Sequence, residues 1–131
     1  MRRREFLGKT IIGSAGLTLG ASGLLATSCK GANEKVVLAI IGAGGRGVPS
    51  VISCCQVNTN VEIKTVCDVN DMRSASAAGE IEKQLGYKPQ TTRYMKEVFD
   101  DRDVDAVWIS TPDHWHALAT IRACQAGKDV Y

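Results

Sequence analysis

The sequence contains few histidines and no paired cysteine motif. Only two histidines occur in 131 residues, and none of the five cysteines forms a Cys-x-x-Cys pair. Two histidines with a single aspartate beside them lack further ligands, so we expect no zinc site. Cys54 and Cys55 are adjacent and poorly placed to bridge each other, so no disulfide framework is evident. Cys67 and Cys124 occur in apolar patterns and are expected to be small core residues.

The sequence also lacks a basic stripe, an internal repeat and a low-complexity segment. Residues 34–131 carry eleven basic and thirteen acidic side chains, whereas residues 1–33 carry five basic side chains and one acidic one. The net charge of +2 therefore combines a basic start with a mildly acidic remainder. Because nucleic-acid binding needs a basic surface, we expect no nucleic-acid partner. The length allows one domain.

Residues 1–33 have the features of an export leader. The segment Arg3–Leu7 reads RREFL and precedes an apolar stretch, Ile11–Ala26, that contains four glycines. A charged start before an apolar middle is typical of a signal peptide, and the pattern resembles the twin-arginine (Tat) signal RRxFL. An uncleaved membrane anchor is the alternative, although the stretch is short for a membrane span. We therefore expect export to the periplasm.

The leader also contains a cysteine that resembles a lipid-attachment site. Small residues precede Cys29 in the segment Leu25–Cys29, as in a lipobox, whose cysteine becomes acylated and forms the mature N-terminus. Ala26 departs from the leucine usual at that position, and ordinary signal-peptidase cleavage nearby is the alternative. Acylation would tether the protein to a membrane, so we expect membrane association only through the leader or a lipidated Cys29.

An apolar run and a glycine-rich turn follow the leader. Val36–Ile41 is a run of six apolar residues, which predicts a parallel strand buried on both faces. The next segment, Gly42–Gly47, reads GAGGRG and precedes a helical pattern. In such a GxGxxG turn the first glycine permits a tight bend, the second lets the backbone approach a pyrophosphate, and the third allows close helix–strand packing. These three positions are Gly42, Gly44 and Gly47.

An acidic residue follows the second predicted strand. Val61–Val66 alternates apolar and polar residues, which predicts a strand with one face more exposed. Asp68 lies 21 positions beyond Gly47, the spacing at which a carboxylate meets the ribose hydroxyls of a dinucleotide. The alternative is a structural strand–helix–strand unit with a surface aspartate. The joint pattern favours a dinucleotide site.

The rest of the chain predicts a doubly wound parallel sheet of Rossmann type. The further expected elements are a helix at Asp71–Leu85 between Asn70 as N-cap and Gly86 as stop, a strand at Lys88–Thr92, a helix at Tyr94–Asp101, a strand at Val104–Ser110, a helix from Ala117 to Ala126 and a strand from Asp129. Alternating strands and helices imply helices on both faces, and right-handed crossovers give the strand order 3-2-1-4-5. We expect the last helix to turn inward Ala117, Leu118, Ile121 and Cys124. The strand order reverses between the first and fourth strands, so a ligand is expected where Gly42–Gly47 meets Thr111–His116.

Three segments together resemble a known enzyme family. They are GAGGRG, the VCDVN of Val66–Asn70, and TPDHWH of Thr111–His116 with AGKDVY behind it. All three are similar to the glucose–fructose oxidoreductase, inositol dehydrogenase and rhizopine catabolism (Gfo/Idh/MocA) family, over Lys35 to Tyr131. The resemblance implies a dinucleotide-binding Rossmann domain before a larger α/β substrate domain, and NAD(P)-dependent oxidoreduction of a sugar or cyclitol. Members often form homo-oligomers.

The resemblance assigns cofactor contacts to individual residues. The matching positions in the first loop are Gly42, Gly44, Gly45, Arg46 and Gly47, and those in the second loop are Thr111, Pro112, Asp113, His114, Trp115 and His116, the last four beside the nicotinamide half. Asp68 matches the ribose-binding acid. Its charge disfavours a 2′-phosphate, so we expect NAD rather than NADP, although Arg73 lies close in sequence.

The two histidines of the second loop permit two interpretations. His114 or His116 could donate a hydrogen bond to cofactor or substrate, or shuttle a proton. The alternative is capping and packing at a helix N-terminus. Trp115 between them offers a flat aromatic face.

The resemblance leads to three alternative hypotheses about function. The family continues with a glutamate-lysine-proline segment and a second domain that hold its catalytic lysine and histidine, and neither is present in this sequence. We therefore expect no catalytic residue here and, first, the NAD-binding part of a sugar or cyclitol oxidoreductase. Second, some members with Tat leaders are glycoside hydrolases that oxidise and re-reduce the sugar with NAD; Trp115 and His116 match their loop, whereas Asp113 departs from it. The third hypothesis is that the chain is an inactive truncated fragment.

Overall fold

A computed structural model describes residues 35–131 of the chain. The predicted twin-arginine segment, the apolar stretch and Cys29 lie outside these residues. Within residues 35–131, every helix is too short or too polar to cross a membrane.

Strands and helices alternate along the described residues. The strands are β1 (Val36–Ile41), β2 (Val61–Cys67), β3 (Gln90–Thr92), β4 (Ala106–Ile109) and β5 (Asp129–Val130). The helices are α1 (Gly47–Val57), α2 (Asp71–Leu85), α3 (Met95–Asp100) and α4 (Asp113–Gln125). The five strands pair in parallel in the order β3-β2-β1-β4-β5. This order confirms the predicted Rossmann-type sheet.

The central strand β1 is buried because helices cover both faces of the sheet beside it. Ile40 packs on one face in a cluster with residues of α1 and α2. Ile41 packs on the other face with residues of α3 and α4. Alternate side chains of a strand point to opposite faces, so an apolar run without a polar break supplies both clusters.

The register between β1 and β2 contains an irregularity that the sequence did not predict. Leu38 pairs with Ile63 and Ala39 pairs with Thr65, so Lys64 is skipped. An extra residue reverses the face that the following side chains take. The irregularity explains why Ile63 and Val66, which are three positions apart, pack in the same cluster on one face of the sheet.

Helix α2 has the ends that the sequence predicted. Asn70 Oδ1 accepts hydrogen bonds from the backbone N–H groups of Met72 at 3.0 Å and Arg73 at 3.3 Å. Gly86 follows the helix with a φ of +82°, a left-handed conformation that favours glycine. These contacts confirm the predicted cap and stop.

Helix α4 begins earlier than predicted. It starts at Asp113, so part of the expected loop forms its first turn. Pro112 precedes it with a φ of −58°, and the Trp115 N–H donates to the Pro112 carbonyl at 2.9 Å. The fixed φ of proline is compatible with a helix start. The negative charge of Asp113 in the first turn interacts favourably with the positive end of the helix dipole.

The buried face of α4 also differs from the prediction. The expected inward residues Ala117, Leu118, Ile121 and Cys124 are all exposed. Ala119 and Ala123 are fully buried instead. Two alanines four positions apart lie on one helix face, and their small side chains let the helix approach the sheet closely. The apolar residues were therefore a poor guide to the face that packs.

The remaining elements agree with the prediction except at their ends. Strand β3 starts at Gln90, directly after Pro89, which lacks the N–H that a strand ladder uses. Strand β4 is shorter than the expected Val104–Ser110, and α3 is one residue shorter at each end.

Candidate functional site

Two glycines of the first loop touch the end of β4. Gly42 has a φ of +95°, and a Cβ atom there would lie 2.8 Å from the carbonyl carbon and oxygen of Ser110. A Cβ atom at Gly47 would lie 2.2 Å from the hydroxyl oxygen of Ser110. Only glycine fits these two contacts, which confirms the bend expected of Gly42 and the close packing expected of Gly47. The contacts bring the first loop against the start of the second.

Gly44 has a different environment. A Cβ atom at Gly44 would meet nothing within 4 Å, although the residue borders two cavities. Packing within the protein therefore does not require glycine at this position. The open space beside its backbone is suited to a ligand that must approach the main chain closely.

The N-terminus of α1 has no side-chain cap. Arg46 precedes the helix and makes no side-chain capping hydrogen bond, and the first turn contains no acidic residue. The Gly47 N–H donates to the Gly44 carbonyl at 3.2 Å and Pro49 has no N–H, which leaves the Val48 N–H for a ligand. The first N–H groups of a helix have no acceptor within the helix and carry partial positive charge. A phosphate group is a suitable acceptor for them.

Asp68 joins this turn to the start of α2. Its Oδ2 accepts a hydrogen bond from the Ala43 N–H at 2.8 Å, and its Oδ1 accepts one from the Asn70 N–H at 2.8 Å. The residue is 9% exposed. Each carboxylate oxygen can accept a second hydrogen bond, so Asp68 is held in place and can still bind ribose hydroxyls.

A cleft of about 460 Å³ lies at the carboxyl ends of the strands. Of the predicted site residues, those that line it are Gly42, Gly44, Asp68, Thr111, Pro112 and Trp115. Sequence reasoning did not assign Arg93 or Met95, which also line it. Both follow β3, and the carboxyl ends of parallel strands share one edge of the sheet, so their position after a strand was an available signal.

A second, larger groove of about 990 Å³ lies on the α1 face of the sheet. Of the predicted site residues, Gly44, Arg46, Gly47, Thr111 and His116 line it. Its floor includes the aromatic pair of Trp108 and Tyr131, whose ring centroids are 4.1 Å apart. The predicted residues that line neither cavity are Gly45, Asp113 and His114.

The two cavities share a wall at Gly44, Ser110 and Thr111. The hydroxyl oxygen of Thr111 is buried there and, within residues 35–131, has no hydrogen-bond partner. An unpaired buried hydroxyl costs about 1–3 kcal/mol, so a polar ligand group at this wall would satisfy it. The wall therefore fits a long ligand that crosses from the cleft to the groove.

The structure assigns the two histidines different environments. The His116 Nε2–H donates to the carbonyl oxygen of Thr111 at 2.6 Å, so its ring packs against the loop before α4, although no side chain caps the N-terminus of this helix. His114 is exposed, and its ring centroid lies 6.2 Å from that of Trp115. A cofactor contact by either histidine stays a prediction.

The cysteines near the site are not activated thiols. Cys67 is buried in the wall of the cleft, as the sequence predicted for a core residue, and burial raises its pKa to about 11. Burial likewise raises the pKa of Cys55 to about 11. Such thiols are protonated at neutral pH and are poor nucleophiles. Cys124 is exposed, contrary to the prediction.

No metal-binding group was found among the described residues. Within residues 35–131, no three His, Cys, Asp or Glu side chains are placed together to hold a metal ion.

The parallel sheet, the glycine turn and the cleft beside Asp68 define a dinucleotide-binding α/β domain. Residues 36–131 match the model of the Gfo/Idh/MocA oxidoreductase family, described as an NAD-binding Rossmann fold. The chain belongs to this family.

Individual relatives support the same assignment. An alpha-N-acetylgalactosaminidase of Shewanella oneidensis is 33% identical over 102 residues, which are 75% of this chain and 22% of the relative. An NAD-binding protein from Listeria innocua has a similar structure, with a TM-score of 0.62 and 32% identity over 74% of this chain and 26% of that protein. A putative myo-inositol dehydrogenase from Sinorhizobium meliloti gives a TM-score of 0.60 and 25% identity over 73% of this chain and 27% of that protein. The chain thus spans about a quarter of the length of these relatives.

Proposed function

We propose that this chain is the NAD-binding part of an oxidoreductase that acts on a sugar or cyclitol hydroxyl. The observation that carries the proposal is the wall shared by the two cavities, where the open backbone at Gly44 meets the unpaired hydroxyl of Thr111. A dinucleotide is long enough to occupy both sides of this wall, and its linking diphosphate needs donors at the middle.

The residues around the wall suit the parts of a dinucleotide. The N–H groups at the start of α1 and the backbone at Gly44 face the diphosphate position, and the Thr111 hydroxyl can donate to it. Asp68 accepts hydrogen bonds from the adenosine ribose in the cleft. Trp115 gives that cleft an apolar side, so in this proposal it lies near the adenosine half and not beside the nicotinamide half that the resemblance implied. Bound NAD would supply the hydride acceptor for oxidation of a hydroxyl group.

The carboxylate of Asp68 supports NAD rather than NADP as the preferred cofactor. A 2′-phosphate would occupy the place of a ribose hydroxyl and bring its negative charge against the carboxylate. We expect a lower dissociation constant for NAD.

Titration of the 131-residue chain with NAD tests this proposal. Calorimetry and tryptophan fluorescence should both report binding, since Trp115 lines the cleft. Gly44→Ala should weaken binding at least tenfold, because a methyl group would fill the space beside the backbone, and should leave the free energy of unfolding within about 0.5 kcal/mol of the parent. The control is Gly79→Ala, which also meets nothing within 4 Å but lies in α2 away from both cavities. Absence of any NAD binding by the parent chain would refute the proposal.

The relatives favour a second function at the level of the whole protein. The relative from Shewanella oneidensis is named as an alpha-N-acetylgalactosaminidase, so a glycoside hydrolase that uses NAD transiently is a second candidate. The putative myo-inositol dehydrogenase favours the first candidate. Net NADH formation with a sugar or cyclitol would support the oxidoreductase. Release of an aryl leaving group from an α-N-acetylgalactosaminide without net NADH would support the hydrolase.

A reading of the gene beyond the codon for Tyr131 bears on both candidates. A frame that continues into a glutamate-lysine-proline segment would supply the residues that either reaction needs. A frame that stops after Tyr131, together with NAD binding and neither activity, would favour an inactive fragment.

We also propose that residues 1–33 direct export through the Tat pathway. The RREFL segment and the apolar stretch behind it support this. Replacement of both Arg3 and Arg4 by lysine should retain the protein in the cytoplasm, as measured by fractionation. Labelling with palmitate, and its loss in Cys29→Ala, tests for the lipid anchor.

A further inference from the structure

Two arginine residues line the cleft together with Asp68. The charged side chains among the described residues of its lining are Asp68, Arg73 and Arg93. Arg73 belongs to the first turn of α2, whereas Arg93 comes from the loop after β3. Two different elements therefore bring positive charge to the adenosine end of the proposed site.

The position of Arg93 is supported by an ion pair. Its Nε lies 3.4 Å from Asp71 Oδ1, and its side chain is 58% exposed. A guanidinium group has five N–H donors, so a contact through Nε leaves the terminal nitrogens available to a ligand. Arg93 can thus form a bidentate contact with a phosphate through its terminal nitrogens while its Nε contacts Asp71.

The negative charge of Asp68 is partly compensated. Both of its oxygens already accept backbone hydrogen bonds, from Ala43 and from Asn70. Backbone N–H dipoles that point at a carboxylate make the electrostatic potential in the cleft less negative. Repulsion of a second anion by Asp68 is therefore weaker than for a free carboxylate.

We propose that Arg93, together with Arg73, binds the 2′-phosphate of NADP, so that the site accepts both dinucleotides with a small preference for NAD. The inference rests on the proposed function, because it needs the adenosine half in the cleft. Asp68 makes the site prefer NAD. The two arginines keep this preference small because they stabilise bound NADP.

A different role for Arg93 gives a different result. A guanidinium plane stacked on the adenine ring would stabilise NAD and NADP equally, since both carry adenine. Phosphate binding affects NADP alone. The ratio of the two dissociation constants separates these roles.

The test compares both dinucleotides on the 131-residue chain by calorimetry. Arg93→Gln should weaken NADP about tenfold and change NAD less than twofold, because only NADP loses a charge-assisted contact. Arg73→Gln should also weaken NADP binding, but by a smaller factor. The NADP loss should shrink at 0.5 M salt, which screens an exposed charge pair.

The matched control is Arg102→Gln. Arg102 is an exposed arginine in the segment before β4, at the opposite edge of the sheet, so neither dissociation constant should change. Thermal unfolding of each variant tests whether the fold is intact. An unchanged NAD dissociation constant in the same variant is a second indication of an intact fold.

The outcomes separate this inference from the proposed function. A parent chain that binds neither dinucleotide overturns both. A parent chain that binds NAD, with Arg93→Gln weakening both cofactors equally or neither, overturns only the role of Arg93. A selective loss of NADP supports it.

Discussion

Helices α1 and α2 both start at the carboxyl edge of the sheet, yet their N-termini differ. Helix α2 is capped by the Asn70 side chain and has Asp71 in its first turn. Helix α1 has Arg46 before it, no side-chain cap and no acid in its first turn. The protein thus satisfies the N–H groups at the start of α2 with a side chain, whereas in the first turn of α1 the Gly47 N–H donates to the Gly44 carbonyl and the Val48 N–H is left for a ligand. The difference between the two helix starts agrees with the proposed diphosphate position before α1.

Asp68 connects the two starts. One of its oxygens holds the turn before α1 through Ala43, and the other holds the residue before α2 through Asn70. The carboxylate therefore fixes the spacing of the two helix ends before any ligand binds.

The largest expected effect comes from breaking the turn before α1. Gly42→Ala places a Cβ 2.8 Å from backbone atoms of Ser110 and forces a non-glycine residue to a φ of +95°. Backbone atoms cannot move aside easily, so the free energy of unfolding should fall by about 3 kcal/mol or more. Urea unfolding followed by circular dichroism measures the change. As a control, Gly79→Ala in α2 should raise the free energy of unfolding by about 0.5–1 kcal/mol, and a similar gain from Gly42→Ala would contradict the prediction.

The next effect concerns the open end of α1. Arg46→Asp places a carboxylate at the proposed diphosphate position, so the NAD dissociation constant should rise about tenfold, roughly 1.4 kcal/mol, through like-charge repulsion. Calorimetry at low and high salt measures it, and salt should reduce the difference. Arg102→Asp, at the other edge of the sheet, serves as the charge-matched control. Unchanged affinity in Arg46→Asp would show that α1 does not meet the diphosphate.

The capped end of α2 gives a smaller effect of another kind. Asn70→Ala removes the acceptor for two N–H groups and should lower the free energy of unfolding by about 1 kcal/mol. The variant Asn70→Asp keeps an acceptor oxygen and should retain most of the stability. Thermal unfolding distinguishes them, and equal losses would show that the cap contributes little.

The smallest effect lies at an ion pair away from both helix starts. Lys64 Nζ lies 2.7 Å from Asp101 Oδ2, and its hydrogen bond lowers the pKa of Asp101. A carboxyl whose pKa is lowered in the folded state contributes stability above its unfolded pKa and loses it as the pH falls through the folded pKa. Lys64→Met should therefore cost about 0.5 kcal/mol at pH 7, and the cost should decrease as the pH falls below the ordinary range of a carboxyl group. Urea unfolding at pH 7 and at pH 3 measures this. An equal loss at both pH values would point to packing of the lysine chain.

The pattern of residues around each turn made much of the fold predictable. Glycine readily adopts the positive φ found at Gly42. Asn70 caps the helix that starts at the very next residue. Such features depend on neighbours within a few positions, so the sequence contains them. The face of α4 was predicted wrongly because Ala123 packs in a cluster with Ala39 and Ile41 of β1, which are distant in sequence.

The sequence by itself determined the strand–helix alternation, the strand order, the glycine turn and the position of Asp68, because each depends on local pattern or on the handedness of crossovers. The tertiary structure alone decided which side chains meet across the carboxyl edge. It brought Arg93 to the cleft of Asp68, divided Trp115 from His116 between two cavities, and left the Thr111 hydroxyl unpaired. These are contacts between segments far apart in the chain, and only the packing of the sheet and its helices fixes them.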